Sequence, residues 1–141
     1  MPGFSDDGRW LPPQRGAGLV ARDDSPLPDA PLPIGFVILE THSRGHLADD
    51  GARSVHHVYQ GRTTRSDAIE FYRRHLRDAK WRRVVEEAIG GVATLWYTKG
   101  PEDLVVRIEP RRDGVVTIRL QITDNPLAGT RTPWTRNIAT N

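Results

Sequence analysis

Five histidines and a long series of arginines are the side chains whose types and spacing bear on chemistry in this chain. His42 and His46 stand in an H-x3-H spacing and His56 and His57 are adjacent, which raises a metal site. Neighbouring residues of a strand point to opposite faces, so His56 and His57 cannot grip one ion together. A His pair of the first kind suits zinc when a helix carries it, whereas His42 and His46 fall in a loop. His75 lies on the apolar stripe of a helix, where a hydrogen-bonded boundary histidine is the plainer reading. No metal ligand set is assigned.

Hydrolysis calls for a nucleophile with a base and an orienting acid, or for two carboxylates facing one pocket. The chain has no G-x-S-x-G, no H-E-x-x-H and no glycine-rich phosphate loop, and Glu86 and Glu87 alternate across a strand instead of converging. No catalytic residue and no cofactor site is assigned. The absence of cysteine removes disulfides, thiolate metal sites and thiol nucleophiles.

The cations are more suggestive. Arg73, Arg77 and Lys80 recur at helical spacing, and Trp96, Arg107 and Arg119 sit on strand segments. Aromatic and cationic side chains on one surface suit single-stranded nucleic acid, so these six residues form the candidate interaction surface. The chain balances 20 Lys+Arg against 18 Asp+Glu, a formal charge of +2, which does not mark a dedicated polyanion binder. Glu70 is placed to pair with Arg73 or Arg74 and Asp78 with Arg82, which makes a solvated helix face the competing reading.

The helix that would carry Arg73 and Arg77 is the best signalled element. Ser66 stands where an N-cap belongs, Asp67 and Glu70 occupy the first turn, and basic residues gather at the far end. Ala68, Ile69, Tyr72, His75, Leu76 and Ala79 recur at spacings of three and four, so one face must be buried. Before it, Gly35 to Glu40 and Arg53 to Gln60 read as strands separated by a polar loop from Thr41 to Ala52. After it, Trp81 to Glu87, Val92 to Thr98, Leu104 to Glu109 and Val115 to Thr123 read as a meander with turns at Gly90-Gly91, Gly100 to Asp103 and Asp113-Gly114. Leu104, Val106 and Ile108 alternate with Val105, Arg107 and Glu109, and Val116, Ile118, Leu120 and Ile122 alternate with Thr117, Arg119 and Gln121. One sheet face therefore meets the helix and the other meets water or a partner.

The expected fold class is α+β: a single antiparallel sheet with one helix on one face, in the order β-β-α-β-β-β-β, over residues 34–124. Residues 1–33 hold seven prolines and paired aspartates and read as a disordered tether, with Phe4 and Trp10 as its aromatics. Residues 125–141, with Trp134, read as a disordered tail. No run of about 20 apolar residues is present to cross a membrane as a helix, and the N-terminus lacks the pattern of a signal peptide.

Pro31 and Pro33, Ser43, Arg53, Tyr59-Gln60-Gly61, Phe71-Tyr72, Leu76, Lys80-Trp81 and the stretch from Leu95 to Lys99 together resemble a pattern of small uncharacterised bacterial proteins, often envelope lipoproteins. Lys80 departs from the glycine that usually precedes the tryptophan, which implies a different helix exit, closed by a neighbouring residue. The resemblance implies the fold and a cell-envelope setting, and it implies no activity. The leading reading of function is a non-catalytic, tethered binding or interaction domain of the bacterial envelope, with a protein or envelope component as partner. The alternative is a cytoplasmic nucleic-acid-binding module that uses the basic helix face and the sheet arginines. A small enzyme of unspecified type ranks third.

Overall fold

A computed structural model describes residues 19–49 and 52–124. The strands are β1 (Val37–Ile38), β2 (Arg44–Leu47), β3 (Arg53–Arg62), β4 (Arg82–Ile89), β5 (Val92–Lys99), β6 (Glu102–Pro110) and β7 (Val115–Asp124), with one helix, α1 (Arg65–Asp78), between β3 and β4. All pairings are antiparallel, and the seven-stranded sheet runs β1-β3-β7-β6-β5-β4, with β2 also on β3. The α+β architecture of one sheet and one helix is as expected from the alternation. The order gains a strand, because β2 forms inside the expected loop from Thr41 to Ala52. All four residues of β2 are exposed, so no apolar pattern announced it; the outer edge of β3 offers backbone groups that recruit it.

Both β1 and β2 lie along that one edge, and the break between them is bridged by a side chain. Leu39 donates its N–H to the carbonyl of Val58 at 2.7 Å. Ser43 Oγ accepts from the N–H of Val58 at 2.9 Å and donates to the carbonyl of Leu39 at 2.8 Å. The hydroxyl thus takes the place of a missing ladder partner.

The helix begins two residues earlier than expected. Thr64 is the N-cap, its side chain accepting from the N–H of Asp67 at 3.1 Å, and Ser66 lies within the first turn. At the far end the N–H of Trp81 bonds the carbonyl of Leu76 at 2.9 Å and that of Lys80 bonds Arg77 at 3.0 Å. That pair of bonds closes a helix through a left-handed residue, normally glycine. Lys80 fills the position itself, at φ 74, in place of the closure by a neighbour that its missing glycine implied.

Ala68, Phe71, Tyr72 and Leu76 on α1 are fully buried against one face of the sheet, whose Leu104, Val106, Ile108, Ile118, Leu120 and Ile122 are fully buried in turn. The lead-in completes this layer. Leu27, Ala30, Leu32 and Phe36 belong to the same core, so the segment expected to be a tether through residue 33 is packed from Leu19 onward. The remainder of that expected tether and the expected tail lie outside the described residues. Ala21 and Pro33 form an antiparallel bridge, and Ser25 Oγ donates to the carbonyl of Arg22 at 2.8 Å and accepts from the N–H of Leu32 at 3.2 Å. The prolines that suggested disorder instead reduce the entropy lost when this loop docks.

Asp29, near the end of the loop, is the anchor. Its carboxylate receives Arg53 at 2.6 Å and Lys99 at 3.1 Å. Arg53 also makes a two-point contact with Glu102, at 2.7 and 2.9 Å. Trp81 Nε1 donates to the carbonyl of Asp29 at 2.9 Å, and Lys99 Nζ lies 4.7 Å from the Trp81 ring centroid while donating to the carbonyl of Ala79 at 3.1 Å. Burial alone would raise the Asp29 carboxyl, but its bonds to Arg53 and Lys99 outweigh that and hold it below the usual range.

Candidate functional site

The six candidate residues divide between the two sides of the sheet. Glu86 pairs in register with Leu95, a core residue, so it projects toward the helix, and there Arg73 reaches it at 2.8 Å while also contacting Glu70 at 3.0 Å. Arg83 approaches the same carboxylate at 3.5 Å. The bond from Arg73, then its charge, holds Glu86 below the usual carboxylate range despite partial burial. Arg77 is exposed, and among the described residues its ion pair is a long one, to Asp78 at 3.8 Å; Lys80 serves the helix exit through its backbone. Of the three helix candidates, Arg73 is thus closely paired with carboxylates, while Arg77 stays exposed.

Trp96, Arg107 and Arg119 lie on the opposite, open face, because they alternate with the core residues of β5, β6 and β7. Arg107 and Arg119 are direct cross-strand partners. Like charges so placed repel, and a carboxylate in contact with both reduces the repulsion. Glu109 meets Arg119 at 3.1 Å, Arg111 at 2.8 Å and Arg107 at 3.6 Å. Arg111 also donates to Thr117 Oγ1 at 3.1 Å, which accepts from Gln60 at 3.1 Å.

The stoichiometry decides the electrostatics of this face. Three guanidinium groups share one carboxylate, and the side chain of Glu109 is only 11% exposed whereas Arg107 is 51% and Arg119 36% exposed. A ligand approaching the sheet meets the cations first. His56 joins them at the rim, opposite Gln121 on β7 and opposite Arg44 on β2. Its pKa is lowered by burial first, then by the charges of Arg44 and Arg119, so it is a neutral donor or acceptor at pH 7.

Two recesses occupy this face. One, of about 440 Å³, is lined by His56, Val105, Arg107, Glu109, Arg119 and Gln121. The other, of about 450 Å³, is lined by Glu87, Ile89, Val92, Thr94, Trp96, Val105 and Arg107. They share Val105 and Arg107 and form one shallow depression, polar at the β7 end and mixed at the β4 end, where Trp96, Ile89 and Val92 stand with Glu87 and Thr94.

Comparison with protein-family models, with curated proteins and with solved structures finds no match.

Sequence reasoning found Trp96, Arg107 and Arg119 but missed Glu109, Arg111, Arg44 and Gln121. The alternation of β6 and β7 places Glu109 and Gln121 on the face of Arg107 and Arg119, and that signal was available. Arg44 was not accessible in this way, since β2 carried no strand pattern. The adjacent histidines part as strand geometry requires: His56 is on the open face, and His57 turns to the core side, its Nδ1 3.0 Å from the hydroxyl of Tyr59.

Proposed function

We propose that this is a non-catalytic binding domain that holds an anionic ligand on the open face of its sheet. The observation that carries this reading is the cluster of Arg107, Arg111 and Arg119 around the single carboxylate of Glu109. Arginine forks match phosphate and carboxylate oxygens at two points, and a cross-strand pair of them is held here at a cost in repulsion that a bound anion would relieve. The adjoining Trp96, Ile89 and Val92 supply apolar surface for the rest of the ligand.

The test uses heparin as a generic polyanion, titrated against the full chain at low salt. Binding that is lost in Arg107→Glu/Arg119→Glu and kept in Arg73→Glu/Arg77→Glu supports the open face. No binding, or loss only with the helix pair, overturns it. Circular dichroism of each variant establishes that the fold is retained.

A further inference from the structure

We propose that the anion is single-stranded nucleic acid, laid across the strands of the open face with a base on Trp96 and phosphates on Arg107, Arg119 and Arg44. This rests on the binding reading above and specifies its ligand.

The register lays out the track. Arg44 on β2 is opposite His56 on β3, His56 is opposite Gln121 on β7, Arg119 on β7 is opposite Arg107 on β6, and Trp96 on β5 is opposite Val105 on β6. Cross-strand partners point to the same side of a sheet, so these side chains share one face. With strands roughly 4.8 Å apart, the path from β2 to β5 spans roughly 19 Å, enough for a short extended strand and not for a single small anion alone.

The chemistry along the path changes in the order such a strand needs. Cations dominate from β2 to β6, and the indole of Trp96 follows, beside Arg107 in the recess they both line. An indole and a guanidinium plane each stack on a base, and every base presents such a face. A sulfated or uronate polysaccharide satisfies the arginines but has no π-face for Trp96. A duplex satisfies the arginines too, but its bases are stacked inside and out of reach of a residue in a shallow recess. The formal charge of +2 for the whole chain understates this surface because several carboxylates are paired elsewhere, Glu86 and Glu70 against α1 and Asp29 and Glu102 against Arg53. The open face itself carries Glu109 inside the arginine cluster and Glu87 at its β4 end.

The experiment is fluorescence anisotropy of the full chain with labelled U8 and dT8 oligonucleotides, a duplex of equal length, and heparin and alginate oligomers, each at several salt concentrations. Preferred binding of U8 or dT8 is expected, with a log–log salt slope of about −1.4 to −2.1, corresponding to two or three phosphates released from counterions. Arg107→Glu and Arg119→Glu are each expected to weaken binding at least tenfold. Trp96→Ala is expected to cost about tenfold or more while Trp96→Phe restores most of it, with the thermal melting of both variants unchanged, which separates stacking from a merely structural role for the ring. Binding of heparin or alginate through the same arginines, with oligonucleotides no tighter and Trp96→Ala without effect, overturns the nucleic-acid proposal and leaves the anion-binding face standing. Tighter binding of the duplex also overturns it. No binding to any of these polyanions at low salt overturns both.

Discussion

The same strands build two unlike surfaces. On the helix side, alternate residues of β5, β6 and β7 are apolar and sealed beneath α1 and the lead-in loop, and ionic contacts such as Arg73 with Glu86 and Arg53 with Asp29 lie around the margin of the core. On the open side, the intervening residues of the same strands place Arg107 and Arg119 against each other over a nearly buried Glu109. The sealed side gains stability from burial and gives nothing to a ligand. The open side accepts unfavourable charge contacts and leaves groups that a ligand can use. Stability and binding are thereby separated across one sheet, and substitutions can test whether the separation is real.

The largest stability effect is expected at the lead-in. Phe36 is 2% exposed, and Phe36→Ala should lower unfolding free energy by about 3 to 5 kcal/mol, read by urea denaturation. A loss under about 1 kcal/mol would mean that the lead-in is not part of the sealed layer. Gly61 tests the same contact from the other side, because a Cβ there would come within 2.5 Å of Cγ of the Phe36 ring. Gly61→Ala is expected to cost about 2 kcal/mol, and Phe36→Leu in the same chain to recover part of it.

The ionic anchor comes next. Asp29→Asn should cost about 1 to 3 kcal/mol at pH 7. Because the folded-state pKa of Asp29 is lowered, its contribution is present above the unfolded value of about 3.9 and is lost as pH falls through the folded value. The wild-type chain and Asp29→Asn should therefore converge in stability on acidification below about pH 4. A gap that stays constant to low pH would show that the carboxylate charge is not what anchors the loop.

Lys80→Gly should raise stability by about 1 kcal/mol, since a side chain at φ 74 carries a left-handed strain that glycine lacks. The smallest effect belongs to the open face. Arg107→Ala should change stability by less than about 1 kcal/mol, as expected for a half-exposed ion pair, and thermal melting will show whether it does. A larger loss would mean that the arginine cluster is structural and the separation of the two faces fails.

The parts of the fold that could be read in the chain were those with a local period. The alternation in β6 and β7 and the three-and-four spacing of α1 each reflect one buried face, and each predicts its own element. The sequence reading placed the N-cap at Ser66 because both Thr64 and Ser66 are competent caps, and only the backbone path from β3 selects between them. It missed β2 because four exposed residues carry no pattern, and it mistook the lead-in for a tether because prolines mark both disorder and rigid loops. Trp96, Arg107 and Arg119 were legible as candidates from their residue types. The placement of Arg107 and Arg119 on the face away from the helix followed from the alternation of β6 and β7; the position of Trp96 beside them did not, because alternation is defined within one strand and says nothing about the register of its neighbour.

By itself, then, the amino-acid order determined the antiparallel meander, the amphipathic helix and the division of β6 and β7 into an apolar and a charged edge, because those follow from side-chain periods of two and of about 3.6 along a continuous chain. Tertiary structure decided what those periods meant. It brought Asp29 to Arg53 and Lys99 across long stretches of sequence, paired Arg73 with Glu86 of a neighbouring strand and set Arg107 against Arg119 with one carboxylate between them. Charge is a property of composition, but electrostatic potential depends on which charges become neighbours, and only folding assigns neighbours.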